Sequence, residues 1–408
     1  MEFIIEGALL AFRDGLFQGR VRVDGQRIVE VVRGVPSSGD DAASGLQTAG
    51  VRRDGAGIVD AKGLILSSGF IDLHCHGGAN ADINDGSEEA LETVGAFHRS
   101  HGITAFTPSL SVDPVPVLEK ALEIVRSAKK TWQAGWPEIL GAHFESPWIN
   151  PRYKGCQAEE RLLPFDANAL ALIKSNADTI ARITVAPELP GVMEAIPLLC
   201  SWGMVISGGH SDADAVTVHS AADRGMTLVT HLYNAMSSVR KTGPFRVPGF
   251  LEAALTDDRL FTEVICDGWH VPPELITIAR RCKGLDRFLV CSDASRAAGM
   301  TGEGPYYVCG QEVIVEGGVA MLKDRSSLAS SATALDGMVR VLVRDAHVPV
   351  HEALYAASAV PAAAIGVAHR KGSLAPGYDA DLVLLDGDLN VVALWCRGEG
   401  GFLFGHGA

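Results

Sequence analysis

A chain of 408 residues with 47% hydrophobic and 21% charged residues has the composition of a globular protein, and its length suits either two domains or one large α/β barrel with an attachment. Its net charge of −14 excludes broad attraction to nucleic acid or to an anionic membrane surface, so a small anionic substrate would need a local basic pocket. No apolar run approaches the roughly 20 residues that cross a bilayer, and the start Met1-Glu2-Phe3-Ile4-Ile5-Glu6 lacks the positive charge of a signal peptide.

A cytoplasmic protein is expected. The eight cysteines (75, 156, 200, 266, 282, 291, 309 and 396) form no CxxC pair. Several lie in apolar runs such as Val264-Ile265-Cys266, which reads as buried free thiols in a reducing compartment.

From Met1 to about Leu66, short alternating segments broken by Gly and Asp read as strands of a small β domain: 3–5, 19–23, 27–32 and 63–66. Between them, 36–57 is rich in Gly, Ser, Ala and Asp and reads as a flexible excursion. The C-terminal stretches 380–385 and 391–395 return to the same style, so both ends should build one β-sandwich domain, from 1–66 plus 371–408.

From Gly69 the grammar becomes strand then helix, repeated. Candidate strands are 70–74, 103–107, 138–143, 182–186, 204–208, 227–231, 261–266 and 287–292. Helix-patterned segments include 88–101, 114–128, 191–202, 212–224, 273–282 and 334–344. Eight such units over 67–370 predict an α/β fold of the closed (β/α)8, or TIM barrel, type. The rival, an open doubly wound sheet, would want a Gly-rich dinucleotide turn after an early strand, and none is present.

Catalytic groups of such barrels sit at the C-terminal strand ends. The first strand ends in His74 and His76, which alternate onto one face. The third ends in His143 and Glu145, the fifth in His210, the sixth in His231, the seventh in Asp267 and His270, and the eighth in Asp293. Imidazoles and carboxylates converging from six strand ends suit zinc or iron, with a position left open for water. Asp293 is placed to act as general base and acid, and His270 to donate to a substrate carbonyl and its oxyanion.

These motifs resemble those of the N-acetylglucosamine-6-phosphate deacetylases of the amidohydrolase superfamily. The matching pieces are GFIDLHCHGG (69–78), HFESPWINP (143–151), APE (186–188), GGHSDA (208–213), THLYNAM (230–236), RVPG (246–249), CDGWHV (266–271), SDASRAAG (292–299) and RKGSLAPGYDADLVLLD (370–386). The resemblance implies a principal metal on Glu145, His210 and His231, and a second position on His74 and His76 that some members fill. It implies Asp293 as base and acid, and His270 on the acetyl carbonyl. Asn234 and the Ala235 backbone would hold a phosphate. Arg246 would be its cation, supplied across a homodimer from the neighbouring subunit.

The departures from the family pattern lie on the sugar side. Ser146 replaces a glycine of the usual HLEGP segment, and Cys156-Gln157 stand where a histidine usually touches the sugar hydroxyls. The loop before Arg246 is longer and carries Arg240, Lys241 and Pro244, and Leu328-Ala329-Ser330 bring a serine where a glycine is typical. The implied reaction is metal-dependent removal of the acetyl group from N-acetylglucosamine 6-phosphate. The altered pocket leaves room for another N-acetyl amino-sugar phosphate or N-acyl amine. Two other readings are a cyclic-amide or N-acyl-amino-acid hydrolase, against which the lysine-free fourth strand counts, and a non-catalytic barrel, which should have lost ligands that are all present here.

Overall fold

The computed structural model describes residues 2–37, 52–53, 57–145, 147–300, 302 and 304–402. Most of the excursion expected over 36–57, and Ser146, lie outside them.

Eight parallel strands form the barrel: Phe70–Cys75, Ile103–Leu110, a third in two pieces (Glu138–Ile139 and Ala142–Phe144), Ile180–Val185, Val205–Gly208, Met226–Val229, Phe261–Ile265 and Phe288–Cys291. Their residues are almost all buried because helices cover the outside of the sheet and side chains fill its interior. Between the first and eighth strands, regular pairing gives way to bonds at their upper ends. Asp293 N–H donates to His74 O (2.8 Å), His76 N–H to Ala294 O (2.8 Å), and Ser292 N–H and Oγ–H to the Asp72 carboxylate (3.2 and 2.5 Å). The closure therefore passes through the residues that carry the first and last candidate catalytic groups.

The helices follow the sequence pattern within a few residues, for example Glu88–Ser100 and Pro273–Lys283. The first begins where the Ser87 side chain accepts from Ala90 N–H, with Glu88 and Glu89 in the first turn and His98 and Arg99 in the last, each favourable to the helix dipole. Helix Val350–Ala364 packs against the first and eighth strands. A three-stranded antiparallel sheet (Tyr306–Val308, Gln311–Glu316, Val319–Leu322) follows the eighth strand, and its apolar face packs on Cys156, Ala297 and Ala329.

Strands from the two chain ends share one further sheet, in the order Glu399–Phe402, Val391–Cys396, Leu382–Leu385, Ile65–Ser68, Glu2–Phe12, Gly15–Asp24, Arg27–Pro36. It curls until Ile28 N–H reaches Tyr378 O (2.9 Å), enclosing Phe3, Ile5, Leu10, Val21, Val23, Leu66, Leu384 and Trp395. Six of the eight cysteines are buried and all eight are free thiols. Among the described residues, no helix is long and apolar enough to cross a membrane.

Candidate active site

Just beyond the strand ends the backbone turns sharply. His210, His231, Asp293, Ala235 and Ser330 have positive φ (47°, 29°, 45°, 48° and 53°), a conformation that non-glycine residues rarely adopt and that aims these side chains back across the barrel mouth. The result is a buried cluster of four imidazoles and two carboxylates. His74 Nε2 lies 3.1 Å from His76 Nε2, and His210 Nε2 lies 3.0 Å from His231 Nε2. Glu145 sits between the pairs, with Oε1 3.2 Å from both His210 and His231 and 3.3 Å from His74, while Oε2 lies 3.3 Å from His76. Asp293 Oδ1 is 3.3 Å from His76 Nε2 and 3.5 Å from His74 Nε2, and has no hydrogen-bond partner.

The tautomers follow from the acceptors behind the rings. His76 Nδ1 can only donate to Ser109 O (3.1 Å), and His210 Nδ1 only to Tyr153 O (2.6 Å). His74 Nδ1 donates to the Glu263 carboxylate (2.9 Å). In neutral rings these bonds leave the Nε2 atoms of His74, His76 and His210 as lone pairs beside carboxylate oxygens, an arrangement that positive charge relieves. Burial alone pulls the His74 ring down, yet Asp293, Glu145 and Glu263 outweigh it and lift the imidazole to about 9, so the cluster attracts a cation or a proton. His76 is raised, against burial, by Asp293 and Glu145, and both of those carboxylates are held ionised despite burial. Two sets, Glu145/His210/His231 and His74/His76/Asp293, each bring their donor atoms within 4.8 Å of one another, and their nitrogen and oxygen chemistry fits a divalent metal such as zinc or iron.

Above the cluster, His270 Nδ1 donates to Asp267 Oδ2 at 2.7 Å, while Asp267 Oδ1 accepts from the N–H groups of Trp269 (2.9 Å) and His270 (2.8 Å). Burial pulls the His270 ring down, but the Asp267 carboxylate more than compensates and the pKa is raised, which favours the proton-donating form. Ser331 ties this pair to Asp293: its Oγ donates to Asp267 Oδ2 (3.1 Å) and its N–H to Asp293 O (2.7 Å).

One cavity collects Glu145, His210, His231, His270 and Asp293 with Cys156, Gln157, Asn234, Ala235, Leu328 and Ser330. At about 110 Å³ it is smaller than a groove of about 500 Å³ between the first two helices, but that groove is lined by Leu91, Trp132 and Trp136 and lacks this convergence of ligands. Gln157, expected against the sugar, is tied to the protein as well. Its Nε2 donates to Glu145 Oε2 (3.2 Å) and its Oε1 accepts from Val112 N–H (3.0 Å). Ala329 faces the core of the three-stranded sheet rather than the cavity. Arg246 is exposed on a hairpin (Arg240–Thr242, Phe245–Val247) and does not line the cavity of its own chain. His143 is buried between Ser109 Oγ (2.9 Å) and Thr184 Oγ1 (2.8 Å) rather than among the ligands.

Residues that sequence reasoning missed include Glu263, Arg182 and Ser331. The first two had a signal, since a charge inside a strand buried on both faces needs a partner. Ser331 had none.

The model of the Amidohydrolase family matches residues 65–399. This chain belongs to the amidohydrolase family. It is similar to the N-acetylglucosamine-6-phosphate deacetylase of Bos taurus, at 36% identity over 83% of this chain and 84% of that one. It is also similar to the N-acetylgalactosamine-6-phosphate deacetylase of Escherichia coli O157:H7, at 33% identity over 82% and 87%. Its fold matches that of an N-acetyl-D-glucosamine-6-phosphate deacetylase mutant from Mycobacterium smegmatis in complex with N-acetyl-D-glucosamine-6-phosphate, with a TM-score of 0.85, 27% identity, and coverage of 98% of this chain and 99% of that one. Within the amidohydrolase family, then, the chain stands with the N-acetylglucosamine-6-phosphate deacetylases, hydrolases of amide bonds in a metal-dependent family.

Proposed function

We propose that this amidohydrolase removes the acetyl group of N-acetylglucosamine 6-phosphate, releasing acetate and glucosamine 6-phosphate. The observation that carries this reading is the convergence of four imidazole Nε2 atoms on Glu145, with the unpartnered Asp293 Oδ1 beside them. Glu145, His210 and His231 would hold the principal zinc or iron, and His74 and His76 a second position next to Asp293. When bound, a divalent ion there supplies a water of lowered pKa and a Lewis acid for the acetyl carbonyl.

Asp293 accepts the proton of the attacking water. As the C–N bond breaks it returns that proton to the amine, so the base of the first step is the acid of the second. His270, whose pKa is raised by the Asp267 carboxylate, donates in its protonated form to the carbonyl oxygen and to the oxyanion it becomes. Asn234 and the Ala235 backbone, on the turn after the sixth strand, take the phosphate. Arg246 completes that site from the second subunit of a homodimer, because an arginine fork binds two phosphate oxygens at once. Cys156, Leu328 and Ser330 shape the sugar wall.

The relative acting on the galactosamine epimer favours one alternative, since Gln157 is bonded to Glu145 where the family pattern expects a histidine reading sugar hydroxyls. Acetate release by zinc- or iron-reconstituted protein should be measured on N-acetylglucosamine 6-phosphate, N-acetylgalactosamine 6-phosphate and unphosphorylated N-acetylglucosamine. Turnover of the first alone supports the proposal. Preference for the second moves the assignment to the epimer, and no turnover of any by metal-replete protein rejects the reading.

A further inference from the structure

A buried ion pair lies one layer below the ligand cluster. Arg182, on the fourth strand, and Glu263, on the seventh, both have side chains without solvent exposure, and the guanidinium forks onto the carboxylate at 2.6 and 2.7 Å. All five guanidinium N–H groups are used. Besides Glu263, Nε donates to Ser207 Oγ (2.8 Å), Nη1 to Leu73 O (2.9 Å) and Nη2 to Thr230 Oγ1 (3.0 Å). Glu263 Oε1 also accepts from His74 Nδ1 (2.9 Å) and from the His231 backbone N–H (3.2 Å). The pair thus grips the residue before His74, the His74 ring, the residue before His231, and the His231 backbone.

A buried ion pair is a costly way to fill a barrel, because apolar side chains of similar volume often leave a protein as stable or more so. What apolar residues cannot do is assign a proton. An acceptor behind a ligating imidazole sets which ring nitrogen carries hydrogen and where the other one points. We propose that Arg182 and Glu263 are a positioning pair that sets the tautomer of His74 and the seat of His231, so that the metal affinity of the cluster is decided one layer beneath it. This rests on the reading of His74 and His231 as metal ligands.

Single substitutions would strand a buried charge, so the test uses two neutral double variants. Arg182→Met/Glu263→Gln keeps an acceptor behind His74, and Arg182→Met/Glu263→Leu removes it. Zinc affinity is read by competition with a chromogenic chelator, alongside thermal unfolding of each protein. The leucine variant should unfold near the parent temperature yet bind zinc roughly 10- to 100-fold more weakly, with the glutamine variant recovering much of the loss. Equal zinc affinity in both variants and the parent overturns the positioning role while leaving the metal reading intact. A parent with no zinc or iron affinity overturns the metal reading and this proposal with it. Should either variant fail to fold, the parent decides through long-range proton–nitrogen spectra of its imidazoles, with His74→Gln giving the assignment. Recorded on the zinc-loaded parent, where the ring carries one proton, a proton on His74 Nδ1 supports the pair's role, and one on Nε2 overturns it.

Discussion

At the scale of single residues, chemistry and strain coincide. Left-handed backbone on a non-glycine residue costs on the order of 1–3 kcal/mol, and His210, His231 and Asp293 all adopt it at the barrel mouth. The surrounding bonds hold Asp293 in place: its N–H donates to His74 O and its carbonyl accepts from Ser331 N–H, leaving Oδ1 unpartnered toward the histidines. Asp293→Asn should therefore fold normally, keep its metal, and lose roughly 10²- to 10⁴-fold in kcat, the range spanned by positioned acid–base groups. Undiminished turnover in metal-replete Asp293→Asn would remove it from the mechanism. His270 titrates above its ordinary value because of Asp267, so its donor form persists to higher pH and is lost as pH rises through the raised pKa. Asp267→Asn leaves burial as the dominant influence, and the alkaline limb of kcat/KM should move to lower pH. An unmoved limb would assign it to another group.

At the scale of elements, the third strand shows how a local break serves two masters. Gly141, at φ 134°, separates Glu138–Ile139 from Ala142–Phe144, and a Cβ there would meet Ala181 at 2.7 Å. The upper piece delivers Glu145 to the histidine cluster. The lower begins with Glu138, which accepts a bidentate pair from Arg370 (2.9 and 2.7 Å) and an ion pair from buried Lys371 (2.8 Å). Lys371 also meets Asp381, and Arg397 reaches Glu138 at 3.3 Å, so the barrel and the terminal sheet are joined by a charged latch.

Burial raises the Glu138 carboxyl, but Arg370 and Lys371 outweigh it and bring it down to about 2. A folded-state pKa below the unfolded one means stabilisation present above about 4.5 and lost as pH falls toward 2. Glu138→Gln should cost about 3–5 kcal/mol near pH 7, as breaking one side of a buried pair does. Urea unfolding of the two proteins should converge between pH 4.5 and pH 2. A constant difference across that range would show that the latch acts by packing alone.

At the scale of the whole molecule, the exposed hairpin bearing Arg246 marks where the proposed dimer is tested. Arg246→Ala and Asp293→Asn should each be nearly inactive alone. Unfolded together and refolded as a mixture, they should regain up to about a quarter of parental turnover, because half of the chains would sit in mixed dimers and one site of each would have both groups. No recovery, with dimers present by light scattering, would place Arg246 outside the neighbour's site.

The alternation of strands and helices and the histidines and carboxylates at the strand ends were legible in the chain itself. Periodicity and side-chain type are local properties, and a barrel forces strand ends to a common rim. His74, His76, Glu145, His210, His231, His270 and Asp293 could therefore be named from their places after apolar runs, and the quoted motifs named the family. The commitment of Gln157 to Glu145, the proton on His74 Nδ1 and the Arg182–Glu263 plug could not, because each depends on residues 12 to 189 positions apart meeting at hydrogen-bond distance. Residue type and order determined which chemistry this chain carries. The tertiary fold decided which nitrogen of His74, His76 and His210 faces it, because only the folded chain supplies the acceptors behind those rings.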